Sequence, residues 1–233
     1  MDNAARTRQR VLALFLPIAA VLYISAEALS PKGTDQVATD TATALKLLAI
    51  AAKHPTQVYV AGTCAVLALG ALAVSYAAIA ALARNRGSAL ATVAALIGGI
   101  GAFCGAIVEV LVFPNLAAAA TAHTTRGAAA QFLVTTFNSG FGHGFEYAYF
   151  IGIYAAPLLM GMALWRSRAV PRWLAVLFFA GLEVAQQQIS SGPVVILYML
   201  PFAAAMVLLA ARIWQAAAQR AGQPQPEPAS APA

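Results

Sequence analysis

Charge is the first thing this sequence has little of. Only 9% of its 233 residues are Asp, Glu, Lys or Arg, against about 25% in soluble domains, and 61% are hydrophobic. Such a chain cannot cover itself with a polar surface, so lipid is its expected main solvent. Cysteine is scarce too. Cys64 and Cys104 are the only two and stand far apart, which excludes a Cys-x-x-Cys redox pair and a thiolate metal cage. Of the three histidines, His54, His123 and His143, at most one falls in an apolar run, too few for the paired-histidine haem sites of membrane cytochromes. No lysine lies in an apolar run, which excludes a retinal Schiff base, and Gly-x-Ser-x-Gly, His-Glu-x-x-His and phosphate-cradling motifs are missing. The net charge of +6 is spread as single or paired arginines between apolar runs, without interleaved aromatics, so nucleic acid is not an expected partner.

What the sequence has is hydrophobic length. Crossing the hydrocarbon core takes about 20 apolar residues at 1.5 Å each. Runs of that size fall at about 11–29, 58–83, 88–113, 145–165, 173–191 and 193–213. The expected fold class is therefore all-α: a polytopic helical bundle of six transmembrane helices occupying 11–214. A cytoplasmic N-terminal segment, 1–10, precedes it, and a disordered proline-rich cytoplasmic tail, 215–233, follows. Arg6, Arg8, Arg10, Arg84, Arg86, Arg166, Arg168, Arg172, Arg212 and Arg220 fall on one side of this arrangement. Lys32, Lys46, Lys53 and Arg126, with Asp35 and Asp40 among them, fall on the other. The positive-inside rule then places both termini in the cytoplasm, as an even number of spans requires. The basic start, the apolar run and Ala26-Glu27-Ala28 also match a signal peptide with a small-x-small cleavage site. The length of the run and the charge asymmetry favour a retained first span.

Two connections on the lysine side are long. Residues 30–57 carry an amphipathic pattern around 37–52, with Val37, Leu45, Leu48 and Ala52 set against Asp40, Thr41 and Lys46. Residues 114–144 hold two alanine-rich stretches, and their placement is left open.

Four of the eight acidic residues, Glu27, Glu109, Glu146 and Glu183, lie in or at the ends of apolar runs. Carboxylates there face a bundle interior, a wet cavity or, near a helix end, the headgroups. Counted from the arginine side at 1.5 Å per residue, Glu27, Glu109 and Glu146 sit about 25–35 Å up and Glu183 about 16 Å up. Interfacial solvation is the plainer reading of the first three. The depth of Glu183 points to a functional or hydrogen-bonding role. Gly98, Gly101, Gly105 and Glu109 fall in one narrow stripe, which suits close approach of a neighbouring helix. His143, Glu146, Tyr147 and Tyr154 share another stripe; Glu183, Gln187 and Ser190 align on the fifth run; Tyr23 precedes Glu27 by one turn. Four helices are thus expected to converge on one outward-opening polar cavity.

Three readings follow. The leading one is binding or transport of a small molecule or ion through that cavity, with Glu183 deepest and Glu109, Glu146, His143, Gln187, Tyr147 and Glu27 as ligand- or proton-binding candidates. The second is a membrane-embedded metal-binding protein or metalloenzyme. It rests on His143-x-x-Glu146, the i, i+3 spacing of carboxylate-bridged metal sites, with Glu109 and Glu183 completing the shell. A metal ion is the one cofactor considered. The third is a structural or assembly subunit whose glutamates hydrogen-bond between helices. No catalytic residue is assigned. Cys64 and Cys104 fall at similar depths on adjacent spans; small buried hydrophobes are the simpler identity, a disulfide the alternative.

The stretch Trp165-Arg166-Ser167-Arg168-Ala169-Val170-Pro171-Arg172-Trp173, within 162–177, is similar to a cytoplasmic loop that recurs in a family of multi-pass membrane proteins of high-GC bacteria carrying a domain of unknown function. The resemblance implies a bacterial plasma-membrane protein and supplies no catalytic residues.

Overall fold

The computed structural model describes residues 3–34, 37–83, 87–122, 124–186 and 194–219. All regular structure among them is helical: α1 (Asn3–Leu29), α2 (Thr41–Lys53), α3 (Pro55–Ala80), α4 (Ser88–Thr121), α5 (Arg126–Phe137), α6 (Gly140–Ser167), α7 (Arg172–Gln186) and α8 (Val195–Gln219). Five of these, α1, α3, α4, α6 and α8, are long and apolar enough to cross a membrane. The run expected at 173–191 is helical through Gln186, and 187–191 lie outside the described residues, as does the tail from 220.

Six helices close a ring in chain order, α1 against α3, then α4, α6, α7, α8 and back to α1. Residue pairs at the crossings show neighbours running antiparallel. Gly62 meets Phe113 while Gly98 meets Tyr76 across α3 and α4, and Gly87 meets Ser167 while Gly105 meets Tyr149 across α4 and α6. Arg166 and Arg172 consequently stand at one end of the bundle, with the starts of α1 and α4. Leu16, Tyr76, Met160, Phe178, Phe202 and Met206 fill the middle with no exposed surface to speak of. The outside is equally apolar: Val21, Leu96, Phe103, Ile151 and Leu197 are each 61–68% exposed. An apolar skin of that extent is incompatible with water and suits lipid tails.

At the other end α2 and α5 lie outside the ring, packed on each other and on the end of α4 around Leu47, Leu48, Leu116 and Leu133. α1 starts at Asn3 rather than 11 and α8 runs to Gln219 rather than 213, and this cap holds a further departure in helix bounds. The apolar run expected to stop at 113 continues as helix through Pro114 to Thr121, giving α4 a length of about 51 Å, well beyond a hydrocarbon core of about 30 Å. The overhang persists because α2 and α5 bury Leu116 and Ala117. Asp40 starts α2 by accepting hydrogen bonds from the Thr43 backbone N–H (2.8 Å) and hydroxyl (2.9 Å). These bonds hold its carboxyl below the usual carboxylate range. His54 ends α2, and Pro55 begins α3 at the position where a missing N–H costs nothing. Within the cap, Asn138 at the end of α5 donates to the Thr39 carbonyl just before α2 (2.9 Å), and beneath it Gln57 of α3 donates to the Leu29 carbonyl at the end of α1 (2.7 Å).

Candidate functional site

The glycine stripe of α4 builds the interior. A Cβ on Gly101 would lie 2.4 Å from the Cα of Gly152 on α6, so the two backbones touch. One turn nearer the cap, a Cβ on Gly105 would lie 2.5 Å from the Tyr149 ring. One turn the other way, a Cβ on Gly98 would lie 2.6 Å from the Tyr76 ring. Two buried tyrosines therefore occupy the space that absent side chains leave on α4.

Each tyrosine carries a polar group into the bundle. Tyr149 hydrogen-bonds Tyr23 of α1, which lies edge-on to Phe202 of α8 with ring centroids 6.1 Å apart. One turn beyond this pair, toward the cap, stand Glu27 on α1 and Glu109 on α4. Both act electrostatically on the two tyrosines and on each other. The Oε2 atom of Glu109 is sealed from solvent and has no hydrogen-bond partner. Deeper, the Tyr76 hydroxyl is likewise buried without a partner and lies in the field of half-buried Glu183 on α7. The result is a ladder from cap to middle: Glu27 and Glu109, then Tyr23 and Tyr149, then Tyr76 and Glu183. No protein-family model, curated protein or solved structure matches this chain. The ladder itself is what bears on function.

The other candidates stand apart from it. His143 and Glu146 pair with each other at the start of α6, Nδ1 to Oε2 3.3 Å, with side chains 43% and 22% exposed. Tyr147 is 67% exposed. The cause is angular: at 100° per residue Tyr147 points about 160° away from Tyr149, and it is Tyr149 that fits against Gly105. The α6 stripe expected in the cavity thus divides: Tyr147 and Tyr154 stand on the outer face, and His143 and Glu146 are half-buried and paired with each other. α6 contributes Tyr149 instead. Gln187 and Ser190 lie outside the described residues. Among the described residues no three His, Cys, Asp or Glu side chains gather within range of one ion. Cys64 and Cys104 are both free thiols.

Tyr149 and Tyr76 are the site residues that the sequence left unremarked. Tyr23 and Glu27 announce themselves as polar groups one turn apart on an apolar helix. α6, by contrast, carries aromatics all round, and only the gap at Gly105 selects which of them turns inward.

Chemically, the upper rung joins two carboxylates in one another's field in a site mostly walled off from water. A buried carboxylate oxygen without a donor costs a few kcal/mol, and a second negative charge nearby adds to that. A proton taken up by Glu109, or a small cation bound beside it, removes both costs. The tyrosine hydroxyls below can donate to a carboxylate or pass a proton along.

Proposed function

We propose that this chain is a six-span membrane protein of the bacterial plasma membrane with both termini cytoplasmic. On this reading its carboxylate–tyrosine ladder binds a proton or small cation in the course of binding or transporting a small solute. On the same reading the sixth span is the apolar run at about 173–191, whose described part is α7, and the arginine end faces the cytoplasm, so the Glu27–Glu109 rung lies toward the outside. The observation that carries the reading is the sealed, unpartnered Oε2 of Glu109 in the field of Glu27. Glu183 is the deepest ionisable group and would take the proton or cation onward past Tyr76.

Infrared difference spectroscopy of the protein in lipid vesicles tests this, titrating pH and then sodium, potassium, magnesium and calcium in turn. A protonated-carboxyl band, or a cation-dependent carboxylate shift, is expected in the native chain and lost in Glu109→Gln. If no carboxylate signal affected by Glu27→Gln or Glu109→Gln responds to pH or to any of the four ions, the reading fails. The His143–Glu146 pair keeps a metal-binding reading in view. A stoichiometric transition metal that survives Glu109→Gln and disappears in His143→Ala would favour it. Tolerance of Gln at Glu27, Glu109, Glu146 and Glu183 together, with a partner that co-purifies, would favour a structural subunit.

A further inference from the structure

The seam between α6 and α7 closes at Gly161, against Ala175 and Phe179, but not along its exposed side. It leaves a groove of about 340 Å³, within the range of about 300–1,000 Å³ typical of ligand pockets. Gly161 lies at its base, Met162, Val176 and Phe179 form its sides, and Trp165 and Arg166 stand at the arginine end. Met162, Trp165 and Val176 are each 42–50% exposed, so the groove opens sideways, toward the lipid-facing surface.

Its mouth is cationic. The Arg172 guanidinium lies over the Trp165 ring, 5.1 Å from the centroid. Stacking of this kind uses the guanidinium face and leaves its N–H edge free for an anion. Arg168 sits in the same turn, in the left-handed conformation (φ 52°) that ends α6 and leads into Pro171. The sequence has no acidic residue between Glu146 and Glu183, and among the described residues no carboxylate pairs with Arg166, Arg168 or Arg172. An apolar trough thus ends at Trp165 and Arg166, with Arg172 stacked on that tryptophan and Arg168 in the same turn, none of the three arginines paired with a carboxylate.

We infer that this groove is a binding site for an anionic phospholipid, one acyl chain lying between α6 and α7 and the headgroup phosphate held by Arg166 and Arg172. A zwitterionic lipid fits the trough equally well. Its headgroup sets a cationic group beside the phosphate and so gains little net attraction from three arginines, whereas a net-anionic headgroup gains about 1 kcal/mol from each arginine near it. Preference for acidic lipid therefore comes from the mouth and retention of the chain from the walls. The site is independent of the carboxylate ladder.

Trp165 reports on the site directly. In a Trp173→Phe, Trp214→Phe background it is the sole tryptophan. The protein is reconstituted in phosphatidylcholine vesicles containing a small fraction of either brominated phosphatidylglycerol or brominated phosphatidylcholine. The glycerol lipid is expected to quench Trp165 with about fivefold or greater apparent affinity. Arg166→Gln with Arg172→Gln should abolish that difference, and Arg166→Lys with Arg172→Lys should keep most of it. Val176→Phe, at a half-exposed position that leaves the arginines intact, should reduce quenching by both lipids. Equal quenching by the two lipids in the parent protein overturns the inference, with no dependence on any arginine variant folding. A preference for the glycerol lipid that persists in the double glutamine variant overturns the assignment of the headgroup to these arginines.

Discussion

On one flank of α6, Gly152 lies against Gly101 of α4 with room for a Cβ on neither; on the other, a Cβ on Gly161 would lie 3.2 Å from the Phe179 Cβ of α7, and a groove opens beside that contact. The same helix thus has a seam closed to backbone contact and a seam left ajar, and the difference lies in side-chain size at the crossing. Lipid tails are as apolar as leucine, so hydrophobic burial does little to pull two such helices together. Close packing of small residues does more. Along α4 the spacing Gly98, Gly101, Gly105 brings the backbones together and leaves ring-sized gaps above and below, which Tyr149 and Tyr76 fill. Along α7 the partners of Gly161 are Ala175 and Phe179, which leave just enough room for a Cβ, and Phe179 also lines the groove beside them. The closed seam buries Tyr149 and Tyr76. The open seam faces lipid.

Substitutions at the three glycines should separate the two seams. Gly101→Val has the largest expected effect, because its Cβ would fall on the backbone of Gly152, which cannot swing aside. A loss of about 3 kcal/mol or more is expected, read as a steep fall in thermal unfolding temperature in detergent. Native-like melting would mean that α4 and α6 do not touch here. Gly105→Ala should cost less, about 1–3 kcal/mol, since the clashing atoms belong to the Tyr149 ring. The same change should pull Tyr149 off Tyr23 and weaken whatever pH or cation response Glu109 shows. Gly161→Ala, whose Cβ would lie 3.2 Å from the Phe179 Cβ beside a groove with space to relax into, should stay within about 1 kcal/mol of the native protein. An inverted order among the three would break the contrast between the seams.

The smallest effect belongs to the cap and should leave both seams untouched. Hydrogen bonds from Thr43 hold the Asp40 carboxyl below its ordinary value. A depressed folded-state pKa means that the stabilisation is fully present above the unfolded value, about 3.9, and is lost as pH falls through the folded value. Hydrogen exchange over 41–53, corrected for intrinsic pH dependence, should therefore quicken only below about pH 4, and Asp40→Ala should show the faster rate at neutral pH. Exchange that quickens equally in α4 and α6 under the same acidification would show that cap and bundle open as one unit.

Much of the architecture is legible in residue order. Hydropathy alone marks α1, α3, α4, α6 and α8, because a run of some 20 apolar residues has no other solvent to go to. Asp40 before Thr41 and Thr43 is a readable helix start, and the stripe of Gly98, Gly101 and Gly105 announces a close crossing without naming the partner. The far end of α4 is not legible in the same way. Pro114 and the polar Asn115 look like a stop, and the helix continues because α2 and α5 shelter Leu116 and Ala117.

The candidate site divides along the same line. Residue order by itself determined that four carboxylates sit in apolar helices, and counting from the arginines put Glu183 deepest. Only the tertiary structure decided which of them share an interior. Glu27 and Glu109 lie in each other's field over Tyr23 and Tyr149, while Tyr147 stands on the outer face of α6 and His143 and Glu146 pair half-buried near its start. The physical reason is that helical periodicity relates residues on one helix to each other and says nothing about rotation against a neighbour. On α6, aromatic all round, that rotation is set by a gap on another helix, where Gly105 has no side chain and Tyr149 does.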